Sequence, residues 1–298
     1  MQWAGKVVKV QCFREGLGRL GFASSAVADL RQFLGPMYAW AAAVPTQAHL
    51  ALPVHIQLAM LYMIQRIKDN GLVCEVKPED ADERREFLEA FGAGAKAEGE
   101  DAAVGGWECA GGKAPEEARW FAVRVTRRNC PWAFQHGKLF RKIAALELFE
   151  YLLCWIAFGE RTVSATPGLA FSGTTDNKGN AFVAARLLTT KFPLSVIRME
   201  FSARLNKAGR SMDLRWVPRG QNVEADEFSN FIKHRFREGL RVHLKLDVVK
   251  YLVVDKLMKA GAEMHEELRR GKVCLSQSTE APMRKRAGNQ GLRYTDPW

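Results

Sequence analysis

The sequence lacks the cysteine and histidine spacings that bind a structural metal. Its six cysteines include no CxxC pair, and its six histidines form no HExxH motif. A disulfide framework and a zinc site are therefore both disfavoured, and we expect the chain to work in a reducing compartment.

Long apolar runs are also missing. The most apolar stretch, residues 143–158, is short for a bilayer span and carries Glu147 and Glu150. The opening residues, MQWAGKVVKVQCFREG, contain interspersed charges and no apolar core of signal-peptide length. These absences predict an intracellular protein, cytoplasmic or nuclear, with no membrane partner.

Positive charge, by contrast, is abundant. The 298 residues include 44 lysines and arginines against 33 acidic residues, which gives a formal net charge of +11 and a pI near 9.5. Such an excess favours a polyanionic partner, of which nucleic acid is the commonest. The alternative is a basic soluble protein without such a partner.

The composition and hydrophobic pattern of the chain predict three parts. Residues 1–87 form a helical segment, 88–232 an α/β domain, and 233–298 a helix followed by a basic tail that we expect to be disordered. Within the middle part, EFLEAFGAGA, AVGGWECA and ARWFAVRV predict a three-stranded antiparallel meander. The full order, β-β-β-α-β-α-α-β-α, predicts a mixed α/β sheet.

Three acidic residues occupy positions in this pattern that need a reason. Glu147 lies in the apolar helix IAALELF, Asp176 ends the strand PGLAFSGTT, and Asp226 opens the helix of VEADEF. Each has a purely structural explanation. Glu147 could lie at the edge of the apolar face of its helix and reach water. Asp176 or Asn177 could cap the following helix, and Asp226 could complement the dipole of its own helix. The alternative is that the three act together.

Together, IAALELF, TDNKGN and WVPRGQNVEADEFSN resemble the ribonuclease H-like domain that follows the reverse transcriptase of retroelements. The last two motifs are most similar to the DIRS-like elements, which use tyrosine-recombinase integrases. The resemblance covers about residues 88–232 and implies Mg²⁺-dependent (or Mn²⁺-dependent) hydrolysis of the RNA strand in an RNA–DNA hybrid. Two metal ions about 4 Å apart would serve the reaction.

The resemblance also implies roles for particular residues. Glu147, Asp176 and Asp226 would be catalytic metal ligands, while Asn177, Arg219 and Asn222 would lie at the edge of the site. Arg219 would contact a phosphate, or else form a surface salt bridge. Nucleic acid would also be contacted by Lys138 and Arg141.

The sequence departs from the family at the first strand. The family's fourth carboxylate belongs on that strand, ahead of the Gly105-Gly106 pair, and the matching position here is Gly94. Asp101 also precedes an alanine, but it lies so close to Gly105 that we expect it in the loop between the strands. Loss of the carboxylate would lower the rate by orders of magnitude, which leaves a catalytically dead nucleic-acid-binding module, or a protein-interaction remnant of the same fold, as alternatives.

The polymerase part of such an element is not expected. A reverse transcriptase palm carries paired aspartates, and the chain has no Asp-Asp step. Residues 17–69 resemble the segment that connects polymerase and nuclease, so the chain resembles a retroelement fragment that begins after the palm.

Basic and aromatic residues alternate ahead of the Glu147 helix, and they have two interpretations. Basic groups interleaved with aromatic ones suit a groove that follows a nucleic-acid backbone. Trp132 and Phe134 are equally suited to anchoring a solvated basic turn to the core. The residues concerned are Arg127, Arg128, Trp132, Phe134, His136, Lys138, Arg141 and Lys142.

Overall fold

A computed structural model describes most of the chain. The described residues are 7–25, 27–70, 90–98, 101–109, 115–135, 139–159, 170–223, 227, 230, 232 and 234–278. Asp226, Lys138, the connector at 77–89 and the tail after 278 lie outside them. None of the described helices is both long and apolar enough to cross a membrane.

Seven strands and eight α-helices make up the described regular structure. The strands are β1 Val7–Lys9, β2 His49–Ala51, β3 Ala90–Glu98, β4 Asp101–Cys109, β5 Arg119–Val125, β6 Ala170–Thr175 and β7 Ser211–Trp216. The helices are α1 Val10–Ala23, α2 Gly35–Ala43, α3 Val54–Asn70, α4 Pro131–Phe134, α5 Ile143–Cys154, α6 Lys178–Arg186, α7 Leu194–Lys207 and α8 Val254–Ser278. Short 3₁₀ segments, of which Ala28–Leu34 is the longest, and one π-helical turn, Trp155–Gly159, complete the list.

Five strands form one mixed sheet in the order β5-β4-β3-β6-β7. The first three strands in sequence, β3, β4 and β5, pair antiparallel, whereas β6 runs parallel to β3 and β7 parallel to β6. This arrangement confirms the predicted meander and the predicted mixed α/β sheet. It also brings the carboxyl ends of β3, β6 and β7 to one edge, where ligands bind in open α/β sheets.

The β3–β4 hairpin is longer than the sequence indicated. Pairing continues from Ala90 opposite Cys109 to Glu98 opposite Asp101. The prediction that Asp101 lies in the loop is therefore wrong, because it is the first residue of β4 and only residues 99–100 connect the strands. The polar residues at this end of the hairpin, such as Lys96, suggested a loop. They are nevertheless paired between the two strands.

Helix α5 packs closely on the sheet because a glycine lies beneath it. A Cβ atom at Gly106 would be 2.3 Å from Sγ of Cys154 and 3.1 Å from the ring of Phe121. Cys154 is fully buried, as its apolar setting predicted. The absence of a side chain at Gly106 therefore determines how near α5 comes to β4, and with it the position of Glu147.

The N-terminal helices share one hydrophobic core with the sheet domain. A single cluster of buried residues includes Phe33, Trp40, Leu152 and Leu257. At the contact, Gln32 donates a hydrogen bond to Ser202 of α7. Helix α2 begins at Gly35-Pro36, directly after the 3₁₀ segment Ala28–Leu34. These parts pack together, and the division of the chain into three domains stays a prediction.

Helix α8 is held against α7 by a buried carboxylate. Glu200 accepts hydrogen bonds from the backbone N–H groups of Leu252, Val253 and Val254 at 2.7–3.1 Å. It also forms an ion pair with Arg204, with a distance of 2.7 Å from Nε to Oε1. Because the first N–H groups of a helix have no partner within it, this side chain caps α8 from a neighbouring helix.

Candidate active site

The turn between β6 and α6 separates two roles that the sequence left open. Asn177 is the helix cap: its Oδ1 accepts hydrogen bonds from the N–H groups of Gly179 and Asn180 at 2.9 and 3.3 Å. Asp176 directly precedes it and follows the last residue of β6. Since Asn177 performs the capping, helix capping does not account for Asp176.

Two asparagines hold the carboxylate of Glu147. The Nδ2 groups of Asn177 and Asn180 both donate to its Oε2, at 2.7 and 3.0 Å. Asn180 is fully buried and also donates to the carbonyl of Ala144, at 2.9 Å. The sequence interpretation missed Asn180; the signal was its spacing of three residues from Asn177, which places both on one face of α6.

Asp176 lies close enough to Glu147 for its charge to act on that carboxyl. The pKa of Glu147 is raised to about 7, mainly because burial disfavours the charged form. The hydrogen bond from Asn177 opposes this shift, the negative charge of Asp176 adds to it, and Asn180 and Arg219 oppose it further. At neutral pH the carboxyl is therefore only partly ionised, and a bound cation would favour its charged form.

Gly94 lies level with Asp176 in the sheet register. Phe91 is paired with Gly173 and Gly92 with Thr174, so counting two residues further along both strands places Gly94 level with Asp176. Opposite Gly94 on β4 is Gly105. Asp101 is four residues from Gly105, about 13 Å along the strand. Gly94 is thus level with Asp176 and one residue beyond Ala93, the partner of Gly106 on the α5 face of the sheet. Asp101 is too far along the hairpin to take the position of Gly94.

The end of β7 forms the other wall of the site. Trp216 donates its indole N–H to the carbonyl of Asp176 at 3.1 Å, and Val217 N–H donates to the carbonyl of Thr175 at 2.8 Å. Arg219 follows in a 3₁₀ turn, which Asn222 closes by donating its N–H to the Arg219 carbonyl. Asn222 is buried, which suits a structural role, whereas Arg219 is exposed beside the carboxylates.

Trp132 anchors the turn before α5 to the core. It is buried and meets Phe149 edge-on at 5.4 Å between ring centroids. Lys142 donates to the backbone carbonyls of Trp132 and Gln135. Of the two interpretations of this basic–aromatic segment, the structure supports the core anchor, and it leaves Arg141 exposed on the surface.

The donors present at the site suit a hard divalent cation. Carboxylate oxygens, which Glu147 and Asp176 both supply, are the ligands that Mg²⁺ and Mn²⁺ prefer, and the negative charge of Asp176 acts on Glu147. Within the described residues, no group of three or more acidic, histidine or cysteine side chains could hold a metal. The third predicted ligand, Asp226, lies outside them.

Comparisons with known proteins give a loose structural likeness. No protein-family model matches the chain, and no curated protein does. Among solved structures, the chain is similar to RNase H1 from the halophilic archaeon Halobacterium salinarum NRC-1. That alignment has 14% identity and a TM-score of 0.34, and it covers 50% of this chain and 97% of the archaeal one.

A second solved structure gives the same picture. The chain is similar to the N-terminal RNase H domain of a Mycobacterium tuberculosis protein, solved as a fusion with maltose-binding protein. The identity is 14% and the TM-score 0.31, with 50% of this chain and 94% of that one covered.

Proposed function

We propose that the chain is a ribonuclease H-like domain of DIRS-like retroelement descent that binds an RNA–DNA hybrid. Its reaction would be the metal-dependent hydrolysis of the RNA strand, slowed or abolished by glycine at position 94. One observation carries the proposal: Glu147 and Asp176 come together at the carboxyl edge of the parallel strands, level with Gly94.

The chemistry would depend on a divalent cation at these two carboxylates. Bound there, such an ion would polarise the scissile phosphate and lower the pKa of a water molecule. Asn177 and Asn180 fix one oxygen of Glu147 and leave the other for a ligand. Arg219, which is exposed beside the carboxylates, would contact a phosphate of the strand, and its positive charge would strengthen binding.

Gly94 is the reason to expect weak activity or none. A carboxylate at this position would be the third oxygen donor on the described strands and helices. Because the position on β4 opposite Gly94 is also a glycine, an introduced side chain meets no side chain from that neighbour. Gly94→Asp therefore tests whether the site is a nuclease site that has lost one ligand.

The test measures cleavage of a labelled RNA–DNA hybrid with Mg²⁺ or Mn²⁺. We compare the natural chain with Gly94→Asp, with Gly94→Asp/Asp176→Asn, and with Asp213→Asn, an acidic residue on β7 that pairs with Arg215. The proposal predicts that Gly94→Asp cleaves much faster than the natural chain, that Asp176→Asn abolishes this gain, and that Asp213→Asn changes nothing.

Two other results have a definite meaning. Hybrid binding without cleavage by any variant would support the nucleic-acid-binding module and reject the nuclease site. If no variant cleaves the hybrid and none binds it, the proposed function is rejected altogether. Metal binding can be measured independently of cleavage. We expect Mg²⁺ to raise the melting temperature of the natural chain and not that of Glu147→Gln.

A further inference from the structure

A line of exposed aromatic and basic side chains begins at the candidate site and continues along α6. We define the α6 strip as Trp216, Lys178, Phe182 and Arg186. Phe182 is 50% exposed and Trp216 43%, and both basic residues are exposed. Large aromatic side chains on a surface are costly to leave in water, so such a line indicates a binding surface.

Each aromatic ring of the strip is paired with a cation. Nζ of Lys178 lies 4.5 Å from the centroid of the Trp216 ring, and Cζ of Arg186 lies 5.1 Å from that of Phe182. Lys178, Phe182 and Arg186 are spaced four residues apart and therefore follow one face of the helix. The opposite face, with Asn180, Val183 and Ala184, is buried.

The strip is connected directly to the carboxylates. The indole N–H of Trp216 donates to the backbone carbonyl of Asp176, and Asn177, which holds Glu147, caps the same helix. A polymer bound at the site would therefore reach the strip without crossing another element. From Lys178 to Arg186 the helix rises about 12 Å, the length of about three nucleotides of a stacked strand.

The charge of the strip selects the partner. Helix α6, KGNAFVAAR, contains no acidic residue. On the neighbouring β7, Asp213 is neutralised by Arg215 at 3.0 Å. Positive charge for phosphates and aromatic faces for bases are what a single-stranded nucleic acid requires, because its bases are free to stack. The bases of a duplex are stacked on each other and are not available.

We infer that the α6 strip binds an unpaired nucleic-acid strand that extends from the hybrid held at the site. The inference rests on the proposed function, since the strand is an extension of that substrate. The structure buries Leu214 but leaves Trp216 exposed at the strand end.

Fluorescence anisotropy with three labelled ligands tests the inference. These are a blunt RNA–DNA hybrid, the same hybrid with an oligo-deoxythymidine extension, and the extension alone. We expect the extension to tighten binding to the full chain. Phe182→Ala should reverse this gain by about 5- to 100-fold, the usual contribution of one stacked base, while binding of the blunt hybrid is unchanged.

Matched variants separate the strip from general surface effects. Phe22, 83% exposed on α1, and Lys259, exposed on α8, supply an aromatic and a basic control. Arg186→Ala should reduce the slope of log affinity against log salt by roughly 0.7 for the extended ligand, whereas Lys259→Ala should not. Equal losses with Phe22→Ala and Phe182→Ala at unchanged melting temperature would overturn the inference.

The three ligands also separate this inference from the proposed function. If the blunt hybrid binds and the extension adds nothing, the proposed function stands and the strip is rejected. If the extended and isolated strands bind while the blunt hybrid does not, the strip is supported and hybrid recognition is rejected. If no ligand binds, both are rejected.

Discussion

Replacing Glu200 with alanine should release helix α8 from the rest of the molecule. The carboxylate is fully buried and is the common acceptor for Arg204 and for three consecutive backbone N–H groups, from Leu252 to Val254. Alanine removes the acceptor and leaves the guanidinium of Arg204, itself 8% exposed, without that partner. The loss therefore affects a buried ion pair and a helix terminus at once.

The expected cost follows from the ion pair. Removing one partner of a buried pair typically destabilises a protein by about 3–5 kcal/mol. Glu200→Gln keeps one oxygen acceptor and the shape of the side chain, so we expect a smaller loss, about 1–3 kcal/mol. Glu263→Ala, at an exposed position on α8, should change the free energy of unfolding by about 0.5 kcal/mol or less.

Urea unfolding measures these differences, and amide hydrogen exchange localises them. Exchange at Leu252, Val253 and Val254 should accelerate in Glu200→Ala more than exchange in the α5 core. A loss below about 1 kcal/mol, together with unchanged exchange at these three amides, would refute the idea that Glu200 anchors α8.

Three further predictions concern packing and pH. Gly106→Ala should destabilise the chain by about 1–3 kcal/mol, and Cys154→Ala in the same chain should restore part of the loss in urea unfolding, because the clash is with Sγ. The buried His55 has its pKa lowered to about 4 by burial, so the folded chain loses stability as pH falls from 6.5 towards 4; His55→Gln should retain about 2 kcal/mol more stability at pH 4.5 relative to neutral pH. The pKa of Glu147 is raised to about 7, so metal-free protein should lose stability as pH rises from 4.5 through 7, and Glu147→Gln should remove that loss, about 3 kcal/mol, in melting curves without Mg²⁺. A flat difference between each variant and the natural chain across pH would contradict the last two.

Local patterns in the sequence predicted the sheet well, because strand alternation and turns are short-range signals. The meander, the strand before Asp176 and helix α7 all lie where the pattern indicated. Strand ends were less predictable. Asp101 was assigned to a loop since composition does not reveal how far a hairpin continues to pair, and the small β1–β2 sheet depends on residues about 40 apart.

The candidate site was predicted in part for the same reason. Asp176 and Glu147 stood out because acids are unusual in apolar surroundings, and the structure brings them together. Asn180 did not stand out, since its spacing from Asn177 acquires a meaning only once the packing of α6 against α5 brings it to Glu147. The position of Asp226 relative to these residues stays a prediction.

The shared core has a consequence for how this sheet could be moved between proteins. Gly35 of α2 packs closely on the segment between α6 and α7. A Cβ atom at Gly35 would lie 2.1 Å from the carbonyl oxygen of Thr189. Helix α8 in turn contacts both α3 and α7. A transplanted gene segment encoding only residues 88–232 would therefore carry an apolar face shaped for helices it had left behind. The unit that buries its apolar surface is therefore larger than the sheet domain, and cutting the chain at residue 88 would expose part of its core.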